Sequence, residues 1–317
     1  MTLGKLAAVT GATGFLGRYL VRALASQGWR VRILARRFPV HEQFSGLEME
    51  VVPGDLSSVE SLGALVRGAD LVVHAAGLVK ARKAADFHRV NVEGTAKLVA
   101  ALNTSGQAAR LLLVSSMAAR EPQLSAYAAS KRQAEDVLRQ NLAPRHDWII
   151  LRPCAVYGPW DIEILPLFRA ANRGVALRTG GKDARICLVH VSDAAGAIAV
   201  LAGNAPPRSQ YEITDARRKG YGWDEIALAT AEALGVRPVN LSLPASLVRL
   251  AGGAGSLMAR ISLATPMLTL DKAREILHAD WGSDPALAPP ETLWTPEIPL
   301  KCGFLKTVTW YKGQGWL

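Results

Sequence analysis

An α/β fold built on a doubly wound parallel sheet, with a smaller C-terminal lobe, is predicted by three features of this 317-residue chain. Short apolar runs alternate with amphipathic helical stretches through the first half. The first apolar run leads directly into a glycine-rich turn and then a helix. After Tyr157 the alternation fades into segments marked by proline and glycine.

Leu6-Ala7-Ala8-Val9-Thr10 is apolar throughout rather than alternating, as a strand covered on both faces requires. In the segment that follows, Leu16, Leu20, Ala23 and Leu24 fall on one helical stripe. Further strands are expected at Trp29–Ala35, Glu48–Val52, Asp70–His74, Arg110–Ser115 and Trp148–Leu151. Helices are expected near Ser57–Val66, Asp86–Leu102 and Ala126–Asn141. Beyond Tyr157 the pattern gives helices near Ser192–Leu201 and Trp223–Leu234, a strand at Tyr211–Thr214 and a C-terminal helix around Trp310-Tyr311. No repeat and no low-complexity segment interrupts this order.

The turn between the first strand and helix reads Gly11-Ala12-Thr13-Gly14-Phe15-Leu16-Gly17. Glycines there allow a tight bend and close backbone approach, and the helix N-terminus offers N–H groups to a pyrophosphate. The bland alternative is an ordinary strand-to-helix turn made of small residues, which the flanking strand and helix disfavour. The second strand ends in Ala35-Arg36-Arg37, with no carboxylate. A carboxylate at that point would take the adenosine ribose hydroxyls, whereas arginine suits a 2′-phosphate. The expected cofactor is therefore NADP(H), with NAD(H) the alternative. Arg36 is the candidate 2′-phosphate ligand, unless both arginines are only solvated charge. Residues 1–157, joined again by 188–215, are expected to form the dinucleotide-binding part, and 158–187 with 216–317 the substrate lobe.

Tyr127 and Lys131 are spaced i,i+4, so they share a helical face. An ammonium beside a phenol favours the phenolate and brings its pKa down from about 10. Ser116, just past a strand end, is placed to hydrogen-bond a substrate oxygen. Alone, the tyrosine and lysine would read as a routine amphipathic pair; the cofactor loop changes that.

With these residues in view, the chain resembles the extended short-chain dehydrogenase/reductase superfamily over nearly its whole length. The matching segments are Thr10–Gly17, Gly54-Asp55-Leu56, His74-Ala75-Ala76-Gly77, Asn91-Val92-Glu93-Gly94-Thr95, Val114-Ser115-Ser116, Tyr127–Lys131, Arg152-Pro153 with Val156-Tyr157-Gly158-Pro159, and Val189–Asp193. The resemblance implies a Rossmann sheet and a catalytic set of Ser116, Tyr127 and Lys131. It puts Gly11, Thr13, Gly14, Phe15, Leu16 and Gly17 at the cofactor phosphates, and Asp55 and Leu56 at the adenine. Ala75, Ala76 and Gly77 would line the cofactor's path, Lys131 would reach the nicotinamide ribose, and Pro153 and Val156 would flank the nicotinamide.

Sugar-nucleotide epimerases of this superfamily usually carry a diphosphate-contacting asparagine where this chain has Ala155. No Thr-Asp-Glu dehydratase set follows Ser116 either. The Arg152-Pro153 form is closer to the branch of 3β-hydroxysteroid dehydrogenases and dihydroflavonol reductases, which act on bulky apolar alcohols and ketones. The implied activity is a ketone reductase or secondary alcohol dehydrogenase for a hydrophobic molecule such as a keto-lipid or steroid-like compound. A sugar-nucleotide epimerase holding NAD tightly, and a non-catalytic cofactor-binding subunit, are the rivals.

A hydrophobic content of 50% supports a large core, and the net charge of +10 suits a phosphorylated ligand or an anionic membrane surface. No nucleic-acid motif accompanies that charge, so no nucleic-acid partner is expected. Cys154, Cys187 and Cys302 are isolated, without metal-ligand spacing, which predicts no metal site. With no basic leader before the first strand, a cytoplasmic setting is expected. Leu243–Leu263, charged only at Arg249 and Arg260, is too interrupted for a transmembrane span. It reads as a core helix, a pocket lid or a helix on the membrane surface, with Gly252, Gly253 and Gly255 as points of interruption. A homodimer is the expected assembly if the chain is not monomeric.

Overall fold

A computed structural model describes residues 4–179, 181, 183–261 and 268–317 of the chain. The central sheet has seven strands: β1 (Leu6–Thr10), β2 (Arg30–Ala35), β3 (Met49–Pro53), β4 (Leu71–His74), β5 (Arg110–Val114), β6 (Asp147–Pro153) and, later in the chain, β11 (Ser209–Ile213). Their order is β11-β6-β5-β4-β1-β2-β3, and every pairing from β3 across to β6 is parallel. The order reverses between β1 and β4, and in open α/β sheets ligands bind at the strand C-termini beside such a reversal.

The linking helices are α1 (Phe15–Ser26), α2 (Val59–Val66), the short α3 (Ala84–Phe87), α4 (Gly94–Asn103) and α5 (Ala126–Asn141). All five residues of β1 are buried, which explains its unbroken apolar sequence. Leu62, Leu65, Leu98, Leu102, Leu111, Leu113, Leu138 and Ile150 close one core cluster with it. Ser125 starts α5 by accepting a hydrogen bond from the Ala128 N–H at 2.9 Å.

The helix expected over Asp86–Leu102 is present but not uniform. A π-helical turn, His88–Glu93, joins α3 to α4. Buried within it is Asn91, whose side-chain bonds run to a neighbouring loop and helix rather than to solvent.

The remaining elements are β7 (Ala155–Tyr157), α6 (Leu165–Asn172), β8 (Val175–Arg178), β9 (Arg185–Ile186), β10 (Leu188–His190), α7 (Val191–Asn204), α8 (Trp223–Leu234), β12 (Val239–Ser242), α9 (Ala245–Ile261), α10 (Leu270–Leu277), β13 (Asp280–Trp281) and α11 (Leu300–Gly313). The chain forms two compact units. One contains 1–152, 195–211 and 289–294, and the other 153–194, 212–288 and 295–317. The second unit has its own core, in which the Tyr157 ring meets the edges of Phe304 and His190. Gly303 makes room for it, since a side chain there would fall on the Tyr157 hydroxyl. Glu225 reaches back to the Gly222 N–H at the start of α8, and Gly235 ends it in the left-handed conformation.

Within the segment that begins at Leu243, Ala245–Ile261 folds as the continuous helix α9, so its glycines do not interrupt it. Gly252 instead allows close packing on α10: a Cβ there would lie 2.8 Å from the Thr269 carbonyl oxygen and 2.9 Å from the Ala273 Cβ. Ser262 and Leu263 lie outside the described residues, as does the Arg260 side chain. Among the described residues no helix is long and apolar enough to cross a membrane, and no group of three metal-ligating side chains forms.

Candidate active site

The glycine turn and the end of β4 meet at the reversal point of the sheet. Gly11 has φ +74°, and a Cβ on it would lie 2.5 Å from the Ala76 nitrogen, so only glycine fits. A Cβ on Gly17 would strike the Gly11 carbonyl oxygen. Gly14 is the N-cap of α1 and has no side chain to cover the helix end. Phe15, Leu16 and Gly17 form the first turn of that helix, with no acidic residue in it. A backbone cradle bounded by Ala75 and Ala76 and carrying the positive end of α1 fits a pyrophosphate.

Behind this cradle lies a hydrogen-bonded relay. The Ala76 N–H donates to the Thr10 hydroxyl at 3.3 Å, and Thr10 meets His74 Nδ1 at 2.7 Å. His74 Nε2 meets the Thr95 hydroxyl at 3.0 Å, and Thr95 donates to the Asn91 carbonyl at 2.6 Å. Because Thr95 has spent its proton on Asn91, His74 must donate from Nε2 and accept from Thr10 at Nδ1. The ring is therefore neutral. Burial, reinforced by the Lys131 charge, holds its pKa down at about 3.

Asn91 extends the relay. It accepts from the Leu78 N–H at 2.7 Å and donates to the Leu78 carbonyl and to the Ser130 hydroxyl, at 3.1 and 2.9 Å. Ser130 donates to the Tyr127 carbonyl at 2.7 Å. The loop after β4 is thus tied to the first turn of α5, which carries Tyr127 and Lys131. The Tyr127 ring, half-buried, lies 6.0 Å from Phe87.

Lys131 is buried and donates from Nζ to the Val114 carbonyl, at the end of β5, at 2.7 Å. A Cβ on Gly77 would sit 3.8 Å from that same Nζ. Burial lowers the lysine pKa to about 8, against the opposing pull of Glu135. Ser116 follows β5 and accepts from the Ala118 N–H at 3.2 Å, which starts a short 3₁₀ turn. Lys131 therefore joins three predicted places: the strand end before Ser116, Gly77, and the Tyr127 helix face.

One turn further along α5, buried Glu135 accepts from Ser115 Oγ at 2.6 Å and from Arg152 Nε and Nη2 at 2.8 and 2.7 Å. Burial alone would raise its pKa; the Arg152 bonds and charge, with Ser115, outweigh that and hold it below the usual carboxylate range.

Beyond the end of β2, Arg36 and Arg37 are exposed and line a cleft of about 590 Å³ together with Thr13, Arg18 and His41. Asp55 is exposed, and its carboxylate accepts from the Ser57 N–H at 2.8 Å and from its hydroxyl. Those two bonds, helped by the Arg36 charge, lower its pKa despite the opposing effect of desolvation. Leu56 packs into the space that Gly94 leaves: a Cβ on Gly94 would lie 2.9 Å from a Leu56 methyl carbon. Pro153 ends β6, Val156 lies in β7 beside β10, and Ala155 is exposed; all three belong to the second unit.

Thr10, Asn91, Ser115 and Glu135 received no role from the sequence. Thr10, Asn91 and Ser115 were within recognised motifs, whereas nothing local marked Glu135.

Residues 7–214 match the profile of the NAD dependent epimerase/dehydratase family. The chain is 44% identical over 310 residues to a ceramide reductase of Caulobacter vibrioides, covering 98% of this chain and 95% of that protein. It is 31% identical over 225 residues to a 4-hydroxy-2-methyl-3-oxo-4-farnesyl-3,4-dihydroquinoline-1-oxide ketoreductase of Stigmatella aurantiaca, covering 65% and 67%. Among solved structures, DesIV, a dTDP-glucose 4,6-dehydratase of Streptomyces venezuelae with NAD bound, shares the fold with a TM-score of 0.74 at 21% identity, covering 98% of both chains. The glycine cradle at the sheet reversal, the buried lysine one turn from Tyr127 and the match across most of the chain lead to one assignment: the protein belongs to the NAD dependent epimerase/dehydratase family of extended short-chain dehydrogenases/reductases, and is an NAD(P)-dependent oxidoreductase.

Proposed function

We propose that this enzyme is an NADPH-dependent reductase of a bulky hydrophobic ketone, with a ceramide-related keto-lipid as its substrate class. The observation that carries the chemistry is the position of Lys131, a buried ammonium placed one helical turn from Tyr127 and against the strand end that precedes Ser116. Bound NADPH supplies the hydride. Ser116 orients the ketone oxygen, Tyr127 delivers a proton to it, and Lys131 lowers the cost of leaving charge on the phenol. Charged Lys131 also binds the nicotinamide ribose, and Arg36 binds the 2′-phosphate.

The substrate class is supported by the ceramide reductase relative and by Ala155, which has no side-chain donor for a diphosphate. The second unit serves as the substrate lobe. Purified enzyme with NADPH and long-chain keto-amide lipids in mixed micelles is the direct assay, read as loss of NADPH absorbance and formation of the alcohol. Isomerisation of a UDP- or dTDP-sugar without stoichiometric NADPH use would replace this reading with an epimerase.

A second reading concerns where such a substrate is met. Leu247, Leu250, Ala251, Ala254, Leu257 and Met258 are all exposed or half-exposed and fall within an arc of about 120° on α9. From Ala233 to Leu270 the sequence has three arginines and no acidic residue. An apolar helix face in an acid-free segment fits an anionic lipid surface, onto which the enzyme would dock peripherally. Vesicles containing phosphatidylglycerol should co-sediment with the protein more strongly than phosphatidylcholine vesicles do, and Leu250→Asp with Leu257→Asp should abolish that difference. Concentration-dependent dimerisation lost in the same double variant, without vesicle binding, would assign the face to a homodimer instead.

A further inference from the structure

Gly158-Pro159-Trp160-Asp161 forms a β-turn, closed by a hydrogen bond from the Asp161 N–H to the Gly158 carbonyl at 3.1 Å. Proline in its second place and a φ of +67° in its third are the pattern of a type II turn. That third place ordinarily goes to glycine or asparagine, because a side chain crowds the backbone at positive φ. Here it holds a tryptophan. Among the described residues, only Arg208 also combines a positive φ with a side chain. Arg208 is exposed in the short link from α7 to β11, and Asp147 holds its backbone N–H at 3.1 Å, so a backbone contact accounts for its conformation.

At Trp160 the side chain is the gain, since glycine would suit the backbone better. The turn is held from within: the buried Asp161 carboxylate accepts from the Glu163 and Ile164 N–H groups at 2.7 and 3.3 Å, and the Tyr311 hydroxyl donates to the Asp161 carbonyl at 2.6 Å. Backbone strain that its surroundings over-determine collects at ligand-binding positions. The Trp160 ring lies 4.9 Å from that of Trp310, which packs on Trp316, and Trp316 stacks on buried Tyr311. Trp160 and Trp310 are both half-exposed. With the Asp161 charge turned inward and Ile162 58% exposed, the outer surface of the turn is apolar as far as Glu163. Trp160 follows Pro153, the end of β6, by seven residues, at most about 25 Å of chain. Strand C-termini are the ligand edge of such a sheet.

We propose that Trp160, backed by Trp310, is the wall against which the hydrocarbon chain of the substrate lies, and that it sets the preference of the enzyme for chain length. The inference rests on the keto-lipid reading above and deepens it by naming the residue that measures the chain. A fixed, flat indole suits a methylene chain: it offers dispersion contact along its length and loses little side-chain freedom on binding. Each methylene covered adds to the affinity until the wall ends.

The test uses the intact chain and compares kcat/KM for hexanoyl and palmitoyl keto-amide lipids, held at one mole fraction in mixed micelles with NADPH. Trp160→Gly is the informative variant, because glycine suits the turn while the ring is lost. It should cut the palmitoyl-to-hexanoyl ratio of kcat/KM about tenfold, with the NADPH dissociation constant within about twofold of the unmodified value. Trp160→Phe, which keeps a smaller ring, should cut the ratio less. Trp310→Ala, which unseats the indole, should cut it in the same direction. An unchanged ratio in Trp160→Gly, or an equal loss on both substrates, would overturn the wall while leaving the keto-lipid reading in place. An unchanged ratio together with lost vesicle co-sedimentation would assign the rings to a membrane surface instead, and together with a lost dimer in sedimentation velocity, to a second copy. No NADPH-dependent reduction of either lipid by the unmodified enzyme would overturn the keto-lipid reading itself, and the wall with it. Melting temperatures and NADPH affinity separate these results from misfolding.

Discussion

Arg152 holds Glu135 through two parallel hydrogen bonds in a setting where both side chains are buried, and Glu135 lies one helical turn beyond Lys131. The bidentate geometry fixes the face of α5 against β6, while Ser115 brings in the end of β5. Removing the carboxylate leaves a buried guanidinium with its charge uncompensated. Glu135→Ala should cost about 3–5 kcal/mol of stability, measured by urea denaturation. Replacing the pair with leucine and methionine should cost less than the single change, since no orphaned charge then remains.

Catalysis should depend on the three residues unequally. Tyr127→Phe retains the ring against Phe87 but lacks the proton, so turnover should fall by about 10²–10⁴-fold with cofactor binding kept. Ser116→Ala should have a milder effect on turnover. Lys131→Met should weaken both turnover and nicotinamide cofactor binding. Near-normal turnover in Tyr127→Phe would require another proton donor.

The lowered pKa of Lys131, about 8, gives its charge a narrow upper margin. In the enzyme without cofactor the ammonium is present below about 8 and lost above it, so kcat/KM should decline as pH rises through that value. Glu135→Gln removes a charge that supports the ammonium and should move the decline to lower pH. The stability effect has the opposite sense. Between about 8 and the ordinary 10.5, the unfolded chain holds the lysine proton and the folded chain does not, so this group favours the fold increasingly as pH rises.

His74 sets an acid limit. Its folded pKa of about 3 lies below the ordinary 6.5, so on acidification the unfolded chain takes up a proton that the folded relay refuses. Stability should fall as pH drops from 6.5 toward 3. His74→Asn should melt lower at neutral pH, having lost the Thr10 and Thr95 contacts, but show a shallower decline below about pH 6.5 in thermal melts.

Much of the architecture could be read from local pattern. β1, the helix Ala126–Asn141 and the helix Trp223–Leu234 have the bounds that their patterns imply, because β1 is an unbroken apolar run buried throughout and each helix has a buried stripe and a recognisable boundary. The glycine turn was legible because its chemistry is contiguous. The support around Lys131 was not: Ser115, Glu135 and Arg152 come from three elements and meet only through the β5–β6 register. Arg18 and His41 are 23 residues apart, and their meeting depends on where the loop after β2 folds back over α1. The apolar character of α9 was visible, but its solvent-facing side was not, because periodicity marks a stripe without saying what covers it.

The wide turn at His88–Glu93 makes residue count, as well as residue identity, a constraint on this enzyme. Deleting one position there would let the segment relax into ordinary helix and rotate Asn91 by about 100° relative to Gly94–Asn103. Leu78 and Ser130 would then lose their shared partner although every side chain that binds them was still encoded. Grafts and chimaeras that cross this stretch therefore tolerate substitutions on its outer face far better than a single insertion or deletion.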